Sequence, residues 1–180
     1  ELTSDGEVIR LYGVWPNLVR TSTTPPEGIS GEIVYGGDGT LAALDGIPIE
    51  GRIVAVEYGS GYHWVSAFHL GARAVIFLGS GHVHRKEGMQ KFLDVPADLP
   101  RFFVKGRDAE RVRDLGRDRK SVTVWGQMTW RNVTGRNLIG ILPGSDSALE
   151  KEAIYLSAYY DAMSPVPAIA PGAEQASSVA

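Results

Sequence analysis

The chain has 180 residues, 43% of them hydrophobic, and a formal net charge of −3, so it can bury one sizeable core or one core plus part of a second. This charge does not suit a nucleic-acid partner or an anionic membrane surface, and no apolar run approaches the ~18 residues that a membrane span needs. The absence of Cys excludes a disulfide scaffold, a thiolate metal site and a Cys nucleophile.

The first fifty residues predict short extended segments. Apolar clusters occur at Val8-Ile9 and Leu11-Tyr12, and the prolines that end Thr21–Pro26 exclude a helix there. Residues Ile29–Gly36 alternate partly and predict a strand. The following segment, Thr40–Leu44, is predicted as a turn or a short strand.

A strand–helix–strand unit is the clearest prediction. Apolar and β-branched residues dominate Arg52–Glu57 and Ala74–Leu78, as in strands that are buried on both faces. Between them, Tyr62–Leu70 has apolar residues at helical spacing and stops at Gly71. Because parallel strands need a crossover connection, we expect these two strands to pair in parallel.

The second half of the chain predicts one further helix, at Ala109–Leu115. The predicted strands there are Arg101–Val104, Ser121–Trp125, Gln127–Val133, Asn137–Leu142 and Ala153–Ala158. We therefore expect an α+β chain, with a β-rich domain over residues 1–130 that contains two short helices. Residues 131–180 would then be the first strands of an incomplete α/β domain.

The strand–helix–strand unit resembles protease-associated (PA) domains. Their pattern is Gly-basic-Ile-Val-x-Val, a glycine-bearing turn, a short helix and Gly-Ala-x-Ala-Val-Ile. Here the two strand segments are Gly51–Val56 and Gly71–Ile76, and Gly59 lies in the turn. The flanking segments Pro16–Val19 and Leu99–Val104 also fit, so the resemblance covers roughly residues 8–130.

The C-terminal residues resemble the start of di-zinc aminopeptidases and glutamate carboxypeptidase-like domains. Four landmarks of that family occur in order, at Asn137–Gly140, Leu142–Asp146, Ser157–Asp161 and Gly172–Ser178. PA domains often accompany this peptidase domain. We expect both ends of the chain to be cuts in a longer protein, because it starts abruptly at Glu1 and ends without a polar tail.

The family's metal positions are degenerate in this chain. The resemblance places Tyr159 where a zinc-binding His belongs, and a neutral phenol is a poor zinc ligand beside imidazole. Asp161 matches the residue that orients that His. The bridging Asp of the family falls on Glu174 or Gln175. No catalytic residue is assigned, and no cofactor is expected in this chain. Zinc is expected only if the parent protein is active.

The resemblance implies two functions. In the first, the PA domain of a peptidase-like protein with a degraded metal site binds a peptide or protein ligand, or controls substrate access. In the second, the chain is part of an active zinc-dependent aminopeptidase or carboxypeptidase. Both imply the rest of a peptidase domain as a partner, no nucleic acid, no membrane span in this segment, and a secreted or cell-envelope location. A third possibility is a free-standing interaction module. His82 and His84 could bind a metal, although a solvated loop is the expected role of that segment.

Overall fold

The parallel centre of one mixed β-sheet positions most of the side chains discussed below. A computed structural model describes residues 1–17, 19–79, 87–88, 90–91, 95–146, 148–149, 152–158, 164 and 166–169. The strands are β1 (Leu2–Ser4), β2 (Glu7–Ile9), β3 (Tyr12–Gly13), β4 (Ile29–Tyr35), β5 (Ile53–Glu57), β6 (Ala74–Gly79), β7 (Arg101–Lys105) and β8 (Ser121–Val124). The helices are α1 (Leu41–Leu44), α2 (Val65–His69), α3 (Arg107–Arg117) and a 3₁₀ turn at Pro167–Ile169.

The eight strands lie in the order β2-β1-β8-β4-β5-β6-β7-β3. The four central strands, β4 to β7, are parallel, and the outer strands pair antiparallel. Strands β5 and β6 pair in register from Ile53 opposite Ala74 to Glu57 opposite Leu78, with α2 as their crossover. The prediction of a parallel strand–helix–strand unit is therefore confirmed, and the α+β class is confirmed as a mixed sheet with short helices.

Both faces of the sheet are covered, which explains the continuous apolar runs in the central strands. One face packs against α1 and α2, through Leu44, Trp64 and Ala67. The opposite face packs against α3, through Ala109 and Val112. Successive residues of β5 alternate between the two cores, as the pleat of a strand requires.

The segment Thr40–Leu44 is helical, so its prediction as a turn or strand was wrong. Thr40 is the N-cap of α1, and its hydroxyl accepts a hydrogen bond from the backbone N–H of Ala43 at 3.2 Å. A single capped turn is too short to show helical periodicity in the sequence.

Three predicted strands, Gln127–Val133, Asn137–Leu142 and Ala153–Ala158, are also wrong, because these segments have no strand structure. Their large apolar side chains are exposed, for example Leu142 at 95% and Ile154 at 93%. An apolar run becomes a strand only when another strand supplies backbone partners. These runs have none among the residues that the structure describes.

The chain returns to the sheet domain after this exposed stretch. Val166 is fully buried in the same core as Val14, and Ile169 packs against that core. The 3₁₀ turn at Pro167–Ile169 also lies against β3. Within the described part of the chain, no helix is long and apolar enough to cross a membrane.

Candidate functional site

The predicted metal positions cannot be placed on this fold. Tyr159, Asp161, Glu174 and Gln175 lie outside the described residues. His82 and His84 lie outside them as well. Among the residues that are described, no three His, Asp or Glu side chains come together in a group that could hold a metal ion.

One polar cluster lies where the parallel strands β4 and β5 end. Glu57 accepts two hydrogen bonds from Arg113 of α3, from Nε at 2.9 Å and from Nη2 at 3.1 Å. The hydroxyl of Tyr35 donates a third at 2.8 Å, and the guanidinium of Arg117 lies 5.3 Å from the Tyr35 ring centre. This cluster therefore joins α3 to two strands, and both oxygens of its carboxylate accept hydrogen bonds.

The environment of Glu57 changes its proton affinity. Burial on its own would raise the pKa of this carboxyl, but hydrogen bonds from Arg113 and Tyr35 outweigh burial and hold the pKa below its usual 4.5. The folded protein then binds fewer protons here than the unfolded chain. The resulting stability is fully present above pH 4.5 and is lost as the pH falls through the lowered pKa.

We predict that Glu57→Gln lowers the free energy of unfolding at pH 7 by about 1 kcal/mol or less, because the pair is partly exposed. The difference from the unmodified protein should shrink in urea-unfolding measurements as the pH falls toward 3. The exposed Glu110 offers a matched control, and Glu110→Gln should change little at either pH. A Glu57→Gln effect that is the same at pH 7 and pH 3 would contradict this assignment.

A second cluster is buried around Lys91, next to the segment that precedes α2. The ammonium group of Lys91, which has no exposed surface, donates to Glu87 at 2.8 Å and to the carbonyl of Gly61 at 2.9 Å. It also lies 5.3 Å from the ring of Tyr58 and 5.5 Å from that of Phe77. Burial lowers the pKa of Lys91, although its contact with Glu87 opposes this, and burial raises the pKa of Tyr58.

Arg101, the first residue of β7, is the other buried cation of this cluster. Its Nη1 donates to the carbonyl of Lys91, and its guanidinium lies 5.9 Å from the ring of Trp64. The indole N–H of Trp64 donates to the neighbouring carbonyl of Gln90 at 2.9 Å. Burial lowers the pKa of Arg101 to about 10. Residues 90–91 thus connect the tryptophan to the buried arginine through their backbone.

Sequence reasoning missed Glu87, Lys91 and Arg101. The first two lie in a stretch that the sequence shows only as polar and irregular. Arg101 had a usable signal, because it begins the apolar run Arg101–Val104 that is predicted to be buried. A charged residue in such a run is rarely buried unless it is paired. This rule marks Arg101 as a residue that needs a partner.

The two clusters differ in what they can do chemically. The Glu57 cluster is a satisfied ion pair that fastens a helix to a sheet. In the buried cluster, several polar atoms lack hydrogen-bond partners within the described ranges, namely Tyr58 Oη, Ser60 Oγ, Gln90 Oε1 and Arg101 Nε and Nη2. The unpartnered guanidinium nitrogens of Arg101 are donors only and suit an anion or another hydrogen-bond acceptor, whereas Gln90 Oε1 only accepts.

The chain was compared with protein families, curated proteins and solved structures, and only solved structures show similarity to it. No family model and no curated protein matches the chain. It is similar to the zinc aminopeptidase BSAP from Bacillus subtilis, with a TM-score of 0.47 and 18% identity, over 69% of this chain and 29% of that one. It is also similar to an aminopeptidase from Aneurinibacillus sp. strain AM-1, with a TM-score of 0.42 and 19% identity, over 69% of this chain and 31% of that one. The chain thus spans less than a third of either protein, and TM-scores below 0.5 do not establish a shared fold.

Proposed function

We propose that residues 1–130 are a PA domain of a zinc-exopeptidase-like protein, and that this domain binds a peptide or protein ligand or controls substrate access. The observation that carries the proposal is the geometry of the PA-like pattern. Its two leading glycines, Gly51 and Gly71, have φ angles of +72° and +85°, which only glycine adopts readily. The N–H of Gly51 donates to the carbonyl of Gly71 at 2.9 Å.

This contact gives the pattern a physical meaning. The two glycines form the turns that lead into β5 and β6, and their hydrogen bond brings the starts of these parallel strands together. A side chain at either position would strain the backbone, whatever space is available. The number of residues between the two glycines therefore depends on the length of the crossover between β5 and β6. This dependence supports the resemblance to PA domains more strongly than the apolar strands do alone.

We also propose that residues 131–180 are the start of an exopeptidase-like domain. The runs Asn137–Leu142 and Ala153–Ala158 are apolar at successive positions, the pattern of strands covered on both faces. Exposed as they are here, these side chains lose the stabilisation that burial would give. We propose that the remainder of a peptidase domain covers them, and that the protein is secreted or belongs to the cell envelope.

Association of the isolated chain tests this part. We expect it to elute in size-exclusion chromatography well above its mass of 19.4 kDa, because exposed apolar runs promote association. Replacing Leu138, Ile141, Ile154 and Leu156 together by Ser should return it to the monomer position. The control replaces the exposed Val8 and Leu41 by Ser and should leave association unchanged. A monomeric unmodified chain would contradict this part of the proposal.

The third part is that the ancestral metal site is degraded and that this chain has no peptidase activity. It rests on the chemistry of Tyr159, which replaces an imidazole by a phenol at a zinc-ligand position of the family. Metal analysis and a zinc titration of the chain, and of the longest natural protein that contains it, test this. Two tightly held zinc ions per molecule, together with turnover of amino-acid anilides, would overturn the degraded-site proposal and establish the active-enzyme alternative.

A further inference from the structure

Arg101 is buried without a negative partner among the residues that the structure describes. Its side chain has no exposed surface, and only Nη1 is used in a hydrogen bond, to the carbonyl of Lys91. Nε and Nη2 have no partner among the described residues. Leaving a buried donor unsatisfied costs about 1–3 kcal/mol, and more for a charged group.

The two open donors lie on one edge of the guanidinium. Nε–H and the outer N–H of Nη2 point in nearly the same direction, so together they match the two oxygens of a carboxylate. Arg113 shows this arrangement within the same molecule, because it holds Glu57 through Nε and Nη2 at 2.9 and 3.1 Å. The edge that holds Glu57 in Arg113 has no hydrogen-bond partner in Arg101 among the described residues.

Among the described residues, no carboxylate compensates the charge of Arg101. The other buried cation of the cluster, Lys91, already has the carboxylate of Glu87 at 2.8 Å. That pair carries no net charge, so the described cluster keeps one positive charge, on Arg101. Burying an unpaired charge is expensive, and a bound anion would remove most of this cost.

The surroundings of Arg101 favour a small oxygen ligand. Trp64, itself fully buried, offers a flat aromatic wall 5.9 Å from the guanidinium. The hydroxyl of Ser60, which is able to donate to an oxygen, also lacks a partner among the described residues. Because the guanidinium has no exposed surface, a ligand reaches it only when neighbouring side chains move aside, so the ligand has to be small or has to enter as the end of a flexible chain.

We propose that Arg101 binds a carboxylate through its Nε–Nη2 edge, with Trp64 as the wall of the site. The carboxylate belongs either to a small free organic acid or to the C-terminus of a bound peptide. Both sources present the same two oxygens to the guanidinium. The site does not depend on whether the chain has peptidase ancestry, because it follows from the contacts of one arginine.

The test measures the Nε–H resonance of Arg101 in ¹⁵N NMR of the full chain, assigned by its loss in Arg101→Gln. The ligands are acetate, a short peptide with a free C-terminus, the same peptide as its C-terminal amide, and chloride at matched ionic strength. We expect a saturable shift with acetate or with the free-acid peptide. Acetate alone would indicate a small acid, and the free-acid peptide alone would indicate a polypeptide source. No shift with either, or an equal shift with the amide or with chloride, would overturn the proposal.

Melting temperatures give a second measurement that depends on affinity. A ligand that binds only the folded state stabilises it by RT ln(1 + [L]/Kd), so the rise in melting temperature at a given ligand concentration reports the affinity. Arg101→Gln and Arg101→Lys should each weaken carboxylate binding at least tenfold, because neither keeps the two-donor edge. Arg111→Gln is the matched control, since Arg111 is exposed and already paired with Glu7 and Asp108. Equal carboxylate affinity in Arg101→Gln and the unmodified chain would contradict the site. The NMR titration measures binding to the unmodified chain, so its result does not depend on whether a variant folds.

Discussion

Trp64→Ala is expected to lower the free energy of unfolding by about 3–5 kcal/mol, the usual loss for removing a large buried aromatic side chain. Trp64 is fully buried, and its ring meets that of Phe77 edge-on with centroids 5.6 Å apart. Its indole N–H also holds the carbonyl of Gln90 at 2.9 Å. One substitution therefore opens a cavity on one face of the sheet and leaves a carbonyl without its donor. A loss of this size is a large part of the 5–15 kcal/mol that typically stabilises a domain.

Urea unfolding followed by circular dichroism measures this loss. Trp130→Ala is the matched control, because Trp130 is 75% exposed and its removal should change stability by about 0.5 kcal/mol or less. Trp64→Phe separates packing from hydrogen bonding, since it keeps much of the ring but loses the N–H. We expect an intermediate loss for that variant. If Trp64→Ala and Trp130→Ala had equal effects, Trp64 would not be the centre of this core.

The parts of the fold that the sequence predicted correctly are those that local information determines. Strands β5 and β6 and the helix between them follow from two short apolar runs, glycine stops and helical spacing, all within residues 51–79. Helix α3 was found because Val112 and Leu115, three residues apart, lie on one apolar face among charged residues. Helix α1 was missed because a single turn capped by Thr40 has no periodicity to detect.

The errors arise where structure depends on distant partners. The runs Asn137–Leu142 and Ala153–Ala158 have the composition of strands, but strand structure requires neighbouring backbone that the described chain does not supply. The buried site shows the same limit. Arg101 meets Trp64 only because β7 lies beside β6 and residues 90–91 bridge the two side chains. A pattern along the chain can mark Arg101 as unusual, but it cannot identify what Arg101 contacts.

Gly39→Ala is expected to cost about 3 kcal/mol, because two penalties coincide at this position. Gly39 has a φ angle of +77°, a conformation that costs an L-residue about 1–2 kcal/mol. A Cβ there would also lie 2.9 Å from the backbone nitrogen of Trp64 and 3.0 Å from the carbonyl carbon of His63. Backbone atoms cannot rotate away as a flexible side chain can. The loop before α1 must therefore move away from the segment that carries Trp64, or that segment must shift.

Gly46→Ala isolates the conformational penalty. Gly46 has a similar φ angle of +71°, but a Cβ there would meet nothing within 4 Å, so we expect a loss of only about 1 kcal/mol. The difference between the two variants in urea unfolding measures the close contact between Gly39 and the backbone at Trp64. Because Trp64 forms the wall beside Arg101, Gly39→Ala should also weaken carboxylate binding, whereas Gly46→Ala should leave it unchanged. Equal losses of stability in the two variants would mean that the Gly39 loop does not support the backbone at Trp64.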